Sequence, residues 1–214
     1  MKKYTVSLLA AAVFAASAAH ADEFSITGGL DYMYSDMNGT ANGYGNSDNQ
    51  SLWSTYVDFR HPLVNVPNFN FQASDLSSGG AGYSNDLKAY DFALYYSPFQ
   101  MNSTIVNLGA DLRRYDGDLN GHGYSNDNIM LYSSAETTFD GTDFGAFADA
   151  RVAYWDGDHS HDWKVGVDYT VFPQDTLKFK VRAGYRNARI DVQNDGMDIN
   201  QHLSNLFVGA QLRY

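Results

Sequence analysis

The chain has 214 residues, with 25 Asp and Glu against 14 Lys and Arg, a net charge of −11, 15% aromatic residues and no cysteine. One domain is the expectation at this length. The acidic balance excludes a nucleic-acid binder, which needs a basic face for phosphate, and the missing cysteines exclude disulfides and thiolate chemistry. Mean hydropathy is −0.39, and beyond the N-terminus no apolar run approaches the ~18 residues that a helix needs to cross a bilayer.

Residues 1–21 read as a secretory leader. Lys2 and Lys3 form the positive start, Val6 to Ala16 the apolar stretch, and Ala19-His20-Ala21 the small-residue site for cleavage before Asp22. Processing removes both lysines and takes the charge to about −13. No cysteine sits at the cut, so no lipid anchor is expected. The domain expected after it is one β-barrel over residues 22–214.

From residue 24 onward the period is that of strands. Phe24, Ile26, Leu30, Tyr32 and Tyr34 share one face of the first segment, while Ser25, Thr27, Asp31 and Ser35 share the other. The second segment sets Trp53, Thr55, Val57 and Phe59 against Ser54, Tyr56, Asp58 and Arg60. The same split separates Val106, Leu108, Ala110 and Leu112 from Asn107, Asp111 and Arg113. It also separates Trp163, Val165, Val167, Tyr169 and Val171 from Lys164, Asp168 and Thr170, and Leu177, Phe179, Val181, Ala183 and Tyr185 from Lys178, Lys180, Arg182 and Arg186. Ten such segments start near residues 24, 51, 68, 87, 103, 128, 144, 162, 176 and 199, with eight or twelve as alternatives.

The connections alternate in kind. Short, turn-like ones fall at 61–67, 98–102, 140–143 and 173–175. Longer ones rich in Gly, Asn, Asp and Ser fall at 36–49, 76–86, 116–127, 156–161 and 192–198. An even count with alternating short and long connections predicts an all-β, closed antiparallel transmembrane barrel, its short turns and both ends in the periplasm and its long loops outside. Aromatic residues then sort into two girdles. Tyr32, Tyr34, Trp53, Tyr90, Tyr154, Trp163 and Tyr185 fall on the long-loop side. Phe24, Phe59, Phe69, Tyr96, Phe139, Phe144, Phe179 and Tyr214 fall on the other. A soluble β-sandwich is the alternative, but it would gather these rings in one core.

The polar parity places Asp31, Asp58, Arg60, Asp91, Asp111, Arg113, Glu136, Asp149, Arg151, Asp168, Lys180, Arg182, Arg186 and Arg213 inside. A lumen of this strand number is narrow, and unpaired charges there are costly. Two arrangements remain open: a salt-bridged plug, or a narrow hydrophilic path.

Three constellations offer chemistry. Asp156-Gly157-Asp158-His159-Ser160-His161-Asp162 holds carboxylates and imidazoles suited to a transition metal. Asp116, Asp118, Asn120, Gly121 and Asp127 have the oxygen spacing of a calcium loop, without its flanking helices or terminal Glu. Asp86, His122, His159, His161 and His202 gather Asp and His on the outer side, as a hydrolase would. Each reads equally as a polar hairpin. No nucleophile elbow or phosphate-cradling glycine loop is present, so no catalytic, cofactor or metal residue is assigned and no cofactor is expected.

Leu206, Val208, Ala210, Leu212 and the terminal Tyr214 share one face. That strand resembles the C-terminal recognition signal of bacterial outer-membrane barrels. Gly28-Gly29, Trp53, His61-Pro62 to Pro67-Asn68, Asp75-Leu76, Tyr90-Asp91-Phe92 to Tyr95-Tyr96, Asn107-Leu108-Gly109 to Tyr115-Asp116-Gly117 and Gly184-Tyr185-Arg186 extend the likeness. In their order and spacing these resemble a family of small proteobacterial outer-membrane β-barrels marked by an early Gly-Gly pair. The resemblance implies a fold, an outer-membrane location and recognition of the strand ending at Tyr214 by the barrel-assembly machinery. It implies no activity. The expected partners are outer-membrane lipid and lipopolysaccharide, met by the acidic loops through bridging divalent cations, and small solutes if the lumen is open. The expected function is a structural or surface-interaction protein or a narrow passive channel, with an outer-membrane protease or lipid-modifying hydrolase as the alternative.

Overall fold

The computed structural model describes residues 24–41, 44–63, 65–80, 83–153, 159–172, 177–194 and 197–214. The leader expected at 1–21 lies outside them. The strands are β1 (Ser25–Ala41), β2 (Tyr44–Arg60), β3 (Asn68–Asp75), β4 (Ser78–Gly80), β5 (Tyr83–Met101) and β6 (Thr104–Leu119). They continue with β7 (His122–Thr138), β8 (Phe144–Val152), β9 (His161–Thr170), β10 (Lys178–Asn194) and β11 (Met197–Arg213). Each pairs antiparallel with its chain neighbour, except that β3 and β4 both pair with β5 and together make one wall position. The wall therefore has ten positions. It closes where β1 meets β11 from Thr27↔Arg213 to Ala41↔Ile199, and Ile26 and Tyr214 exchange backbone hydrogen bonds at 2.9 Å. Closure leaves no sheet edge in the apolar zone, as a strand structure in lipid requires.

The strands that follow short turns start within about two residues of where the alternation places them, whereas three that follow long loops start earlier. The segment expected to start near residue 51 begins at Tyr44, that near 87 at Tyr83, and that near 128 at His122. The stretches 36–49, 116–127 and 192–198 are largely strand, closed by tight tips at Ala41↔Tyr44, Leu119↔His122 and Asn194↔Met197. At the second tip Asn120 and Gly121 both have positive φ, 53° and 86°. That is the backbone of a two-residue hairpin turn matched to strand twist. The turn expected over 98–102 is also mostly strand. Pro98 sits at a register shift between Tyr96 and Phe99, where a residue lacking an N–H is tolerated.

The reason the strand ends were misplaced is an inversion of the pattern along each strand. Between the two girdles the outward parity is apolar and the inward parity polar: Phe24, Ile26, Leu30, Tyr32 and Tyr34 are exposed, while Ser25, Thr27 and Asp31 are buried. Past the upper girdle the faces exchange character. Leu87 and Ala89 point inward beside exposed Asp86 and Lys88. Leu119 points inward beside Asp116 and Asp118, and Ile199 and Leu203 beside His202. A change of outer medium from lipid to water would produce this exchange. The exposed apolar run from residue 24 to 34 has the length of the ~9–11 tilted residues that cross a hydrocarbon core. Ring contacts mark both levels, Phe24–Phe59 at 5.1 Å and Phe59–Phe69 at 4.9 Å below, Trp163–Tyr185 at 5.6 Å above. Tyr154, assigned to the upper girdle, lies outside the described residues.

Candidate functional site

The lumen is where the charged side chains converge, and it divides into three zones. Midway along the axis runs a belt of Arg113, Arg151 and Arg186 with Asp91, Asp111 and Asp162, each essentially excluded from solvent. Arg113 donates to Asp91 through Nε and Nη2, and through Nη2 at 2.7 Å to Asp162 Oδ2. Arg186 grips the same Asp162 from the other side, Nε to Oδ1 at 2.8 Å and Nη2 to Oδ2 at 2.6 Å. It also reaches Ser74 Oγ at 3.2 Å, so β6, β9, β10 and β3 meet at this point. Arg151 donates to Asp149 and, at 3.1 Å, to Asn70 Oδ1. Asp111 lies 3.7 Å from Arg151 Nε and beside the Asp91 carboxylate. Desolvated guanidinium and carboxylate groups are tolerable only when paired in this way.

Outward of the belt the barrel holds an apolar core. Met33, Leu52, Leu76, Leu87, Tyr115, Leu119, Ile190, Ile199 and Leu203 belong to one buried cluster drawn from β1, β2, β5, β6, β10, β11 and the link after β3. Toward the short turns a cavity of about 80 Å³ remains, lined by Arg60, Glu136, Asp149, Lys164, Arg182 and Tyr132 among others. Its walls are locked: Lys180 Nζ lies 2.8 Å from Glu136 Oε1 and 3.0 Å from Asp168 Oδ1. Tyr95 Oη donates to Asp58 at 2.7 Å, and the Arg182 guanidinium stacks 3.9 Å from the Phe147 ring centre. Gly29 leaves room for Tyr56, whose ring would lie 2.4 Å from any added Cβ and whose hydroxyl donates to Gln211 Oε1 at 2.8 Å. A side chain at the second glycine of the Gly28-Gly29 pair would collide with that ring.

Every charge assigned inward by parity lines the lumen or its lower rim, where Glu136 and Arg213 are 21% and 27% exposed. The sequence reading missed Asp162 as a lumen residue and put it in the His159–His161 loop cluster. It belongs to β9, two positions before Lys164 on the same parity, a signal that was available. Residues 156–158 of that cluster lie outside the described residues.

The other constellations separate. Asp116 and Asp118 stand on β6 and Asp127 on β7, across a hairpin; Asp118 Oδ1 accepts from Gly121 N at 2.6 Å, and Asp127 lies 3.8 Å from Arg114. This is a capped turn and not a calcium loop. Asp86 on β5 is beside Lys88 at 3.7 Å, whereas His161 and His202 sit on β9 and β11 with ring centres 6.4 Å apart. The hydrolase grouping is thus split between distant walls. Among the described residues no three His, Asp or Glu side chains converge in a way that could hold a metal, and there is no helix that could span a membrane.

A closed ten-position antiparallel barrel, apolar outside at mid-height and ion-paired inside, has the architecture of proteins that cross a bilayer as strands. No protein-family profile matches the chain, and no curated protein matches it in sequence. Its fold is similar to that of Neisserial surface protein A, at 17% identity over 89% of this chain and 97% of that one, with a TM-score of 0.41. It is similar to Ail, the attachment invasion locus protein of Yersinia pestis, at 14% identity over 90% and 100%, with a TM-score of 0.38. It is also similar to the outer membrane protease OmpT from Escherichia coli, at 10% identity over 90% and 96%, with a TM-score of 0.48. These are likenesses of barrel architecture.

Proposed function

We propose that this chain is an outer-membrane β-barrel with a closed lumen, whose role is to anchor and present its polar outer hairpins as a structural or surface-interaction protein. The observation that carries this reading is the stacking of two seals, the ion-paired belt and the apolar cluster beyond it. Beyond the residues that line the 80 Å³ cavity, Arg113, Arg186 and Asp162 are hydrogen-bonded to one another and excluded from solvent, which supports a closed lumen. The exchange of apolar and polar faces at the upper girdle supports the membrane placement. The outer leaflet's lipopolysaccharide is the partner at that surface. The strand ending at Tyr214, which closes the wall against β1, is the segment that the barrel-assembly machinery would read.

Planar-bilayer recording of the purified barrel tests the closed lumen. The expected trace is flat at voltages where an open porin control conducts. Stable unitary steps from the unmodified protein would restore the passive-channel reading, and hydrolysis of lipid or peptide by the same preparation would favour the enzyme.

A further inference from the structure

The outer face of β9, β10 and β11 carries an unusual group at the level just above the aromatic girdle. Arg189 stands between His161 and His202 in the strand ladder, with registers Arg189↔His161 and Arg189↔His202. The two imidazole centres are 6.4 Å apart, edge to face. Directly below lie Trp163, Asn187 and Ser204, with registers Asn187↔Trp163 and Asn187↔Ser204. These polar groups are linked: His161 Nε2 is 3.1 Å from Asn187 Oδ1, and Asn187 Nδ2 donates to Ser204 Oγ at 3.3 Å. The Arg189 side chain is 41% exposed; Asp191 is its ion-pair partner at 3.7 Å, and its Nε has no hydrogen-bond acceptor.

Other lipid-side cations are surrounded differently. Lys88 and Arg114, at a similar level on the opposite wall, stand among Asp86, Asp116, Asp118 and Asp127. On a chain of net charge −11, the Arg189 site sets two imidazoles beside a guanidinium that has one carboxylate, Asp191, as its ion-pair partner. It is also at the height where lipid headgroups meet the barrel, one ladder step beyond Trp163, and interfacial Trp marks that depth.

We propose that His161, Arg189 and His202 form a docking site for the phosphate of an outer-leaflet lipid headgroup. Arg189 supplies a planar pair of donors to phosphate oxygens. The imidazoles of His161 and His202 flank it on either side in the strand ladder. Asn187 and Ser204 hold His161 in place from below. The proposal rests on the membrane placement above and gives it one specific lipid contact, made directly and not through a bridging cation.

The test uses the full processed barrel in nanodiscs, titrated with phosphorylated lipid A or with its dephosphorylated form, with retained lipid counted by native mass spectrometry. The unmodified protein is expected to retain the phosphorylated form about tenfold more tightly, the ratio that ~1.4 kcal/mol provides. Replacing all three residues (His161→Gln, Arg189→Gln, His202→Gln) is expected to bring that ratio near one. The single exposed change Arg189→Gln is expected to lower it several-fold if the triple variant does not fold. Lys88→Gln with Arg114→Gln is expected to leave it unchanged. An equal loss in that control pair, no loss in the Arg189 variants, or equal displacement by inorganic phosphate would overturn the site. A barrel that inserts normally yet shows no preference refutes this inference alone, whereas one that never enters the bilayer refutes the membrane reading itself.

Discussion

Asp162 is the hinge of the belt, and replacing it gives a sharp measure of how far the lumen depends on pairing. Its two carboxylate oxygens take three hydrogen bonds from Arg113 and Arg186. Asp162→Leu removes all three. Arg113 keeps its two bonds to Asp91, but Arg186 is left with Ser74 Oγ and the Met33 sulfur as neutral partners. A buried cation stripped of its counterion costs ~3–5 kcal/mol. With a urea dependence of about 2 kcal/mol per molar, the unfolding midpoint should fall by roughly 1.5–2.5 M. The assay is urea titration of barrel refolded into detergent, read by tryptophan fluorescence and by the fraction running as the compact species on unheated gels. Adding Arg186→Met should recover most of the loss, because an apolar pair of similar volume replaces an ion pair at nearly neutral cost. A single-variant loss below ~1 kcal/mol, or a double variant worse than the single, would refute the idea that these charges seal the lumen by mutual pairing.

Other consequences follow from the same geometry. Val167→Arg, on the lipid side near mid-height, should cost ~2–4 kcal/mol in vesicles, whereas Ser125→Arg on the outer extension of β7 should stay within ~0.5 kcal/mol; equal effects would count against the membrane boundary drawn at the girdle. Gly29→Val should destabilise the folded barrel by ~1–3 kcal/mol through overpacking against Tyr56, seen as a lower temperature for loss of the compact gel band. Leu203→Ala should cost ~2–5 kcal/mol by leaving a cavity in the outer cluster, yet bilayer recordings should stay silent because the belt beneath is untouched.

The alternation along the chain was sufficient to determine the closed barrel, the even strand count, the side on which both ends meet, and most of the charges that enter the lumen, though not Asp162. Period two leaves no freedom about which face a side chain takes once one medium is oily and the other polar. Thus Asp31, Asp91, Arg113, Arg182 and Arg186 were assigned correctly from parity, and the aromatic levels followed from their positions within each segment. The strand ends at Tyr44, Tyr83 and His122 were not legible in the same way. Above the girdle the apolar residues move to the inner face, so the lipid rule fails just where the strands continue into water, and their polar outer faces look like loops.

Only the tertiary structure decided what the interior charges do with one another. Parity says that Arg113, Arg186 and Asp162 can face inward, but a one-dimensional pattern carries no distances across a lumen. Whether opposite charges meet at 2.6–2.7 Å or leave a wet path between them depends on strand stagger and barrel closure. The same holds for the group on the outer wall. His161, Arg189 and His202 are far apart in the chain, and the register of three neighbouring strands is what brings them side by side.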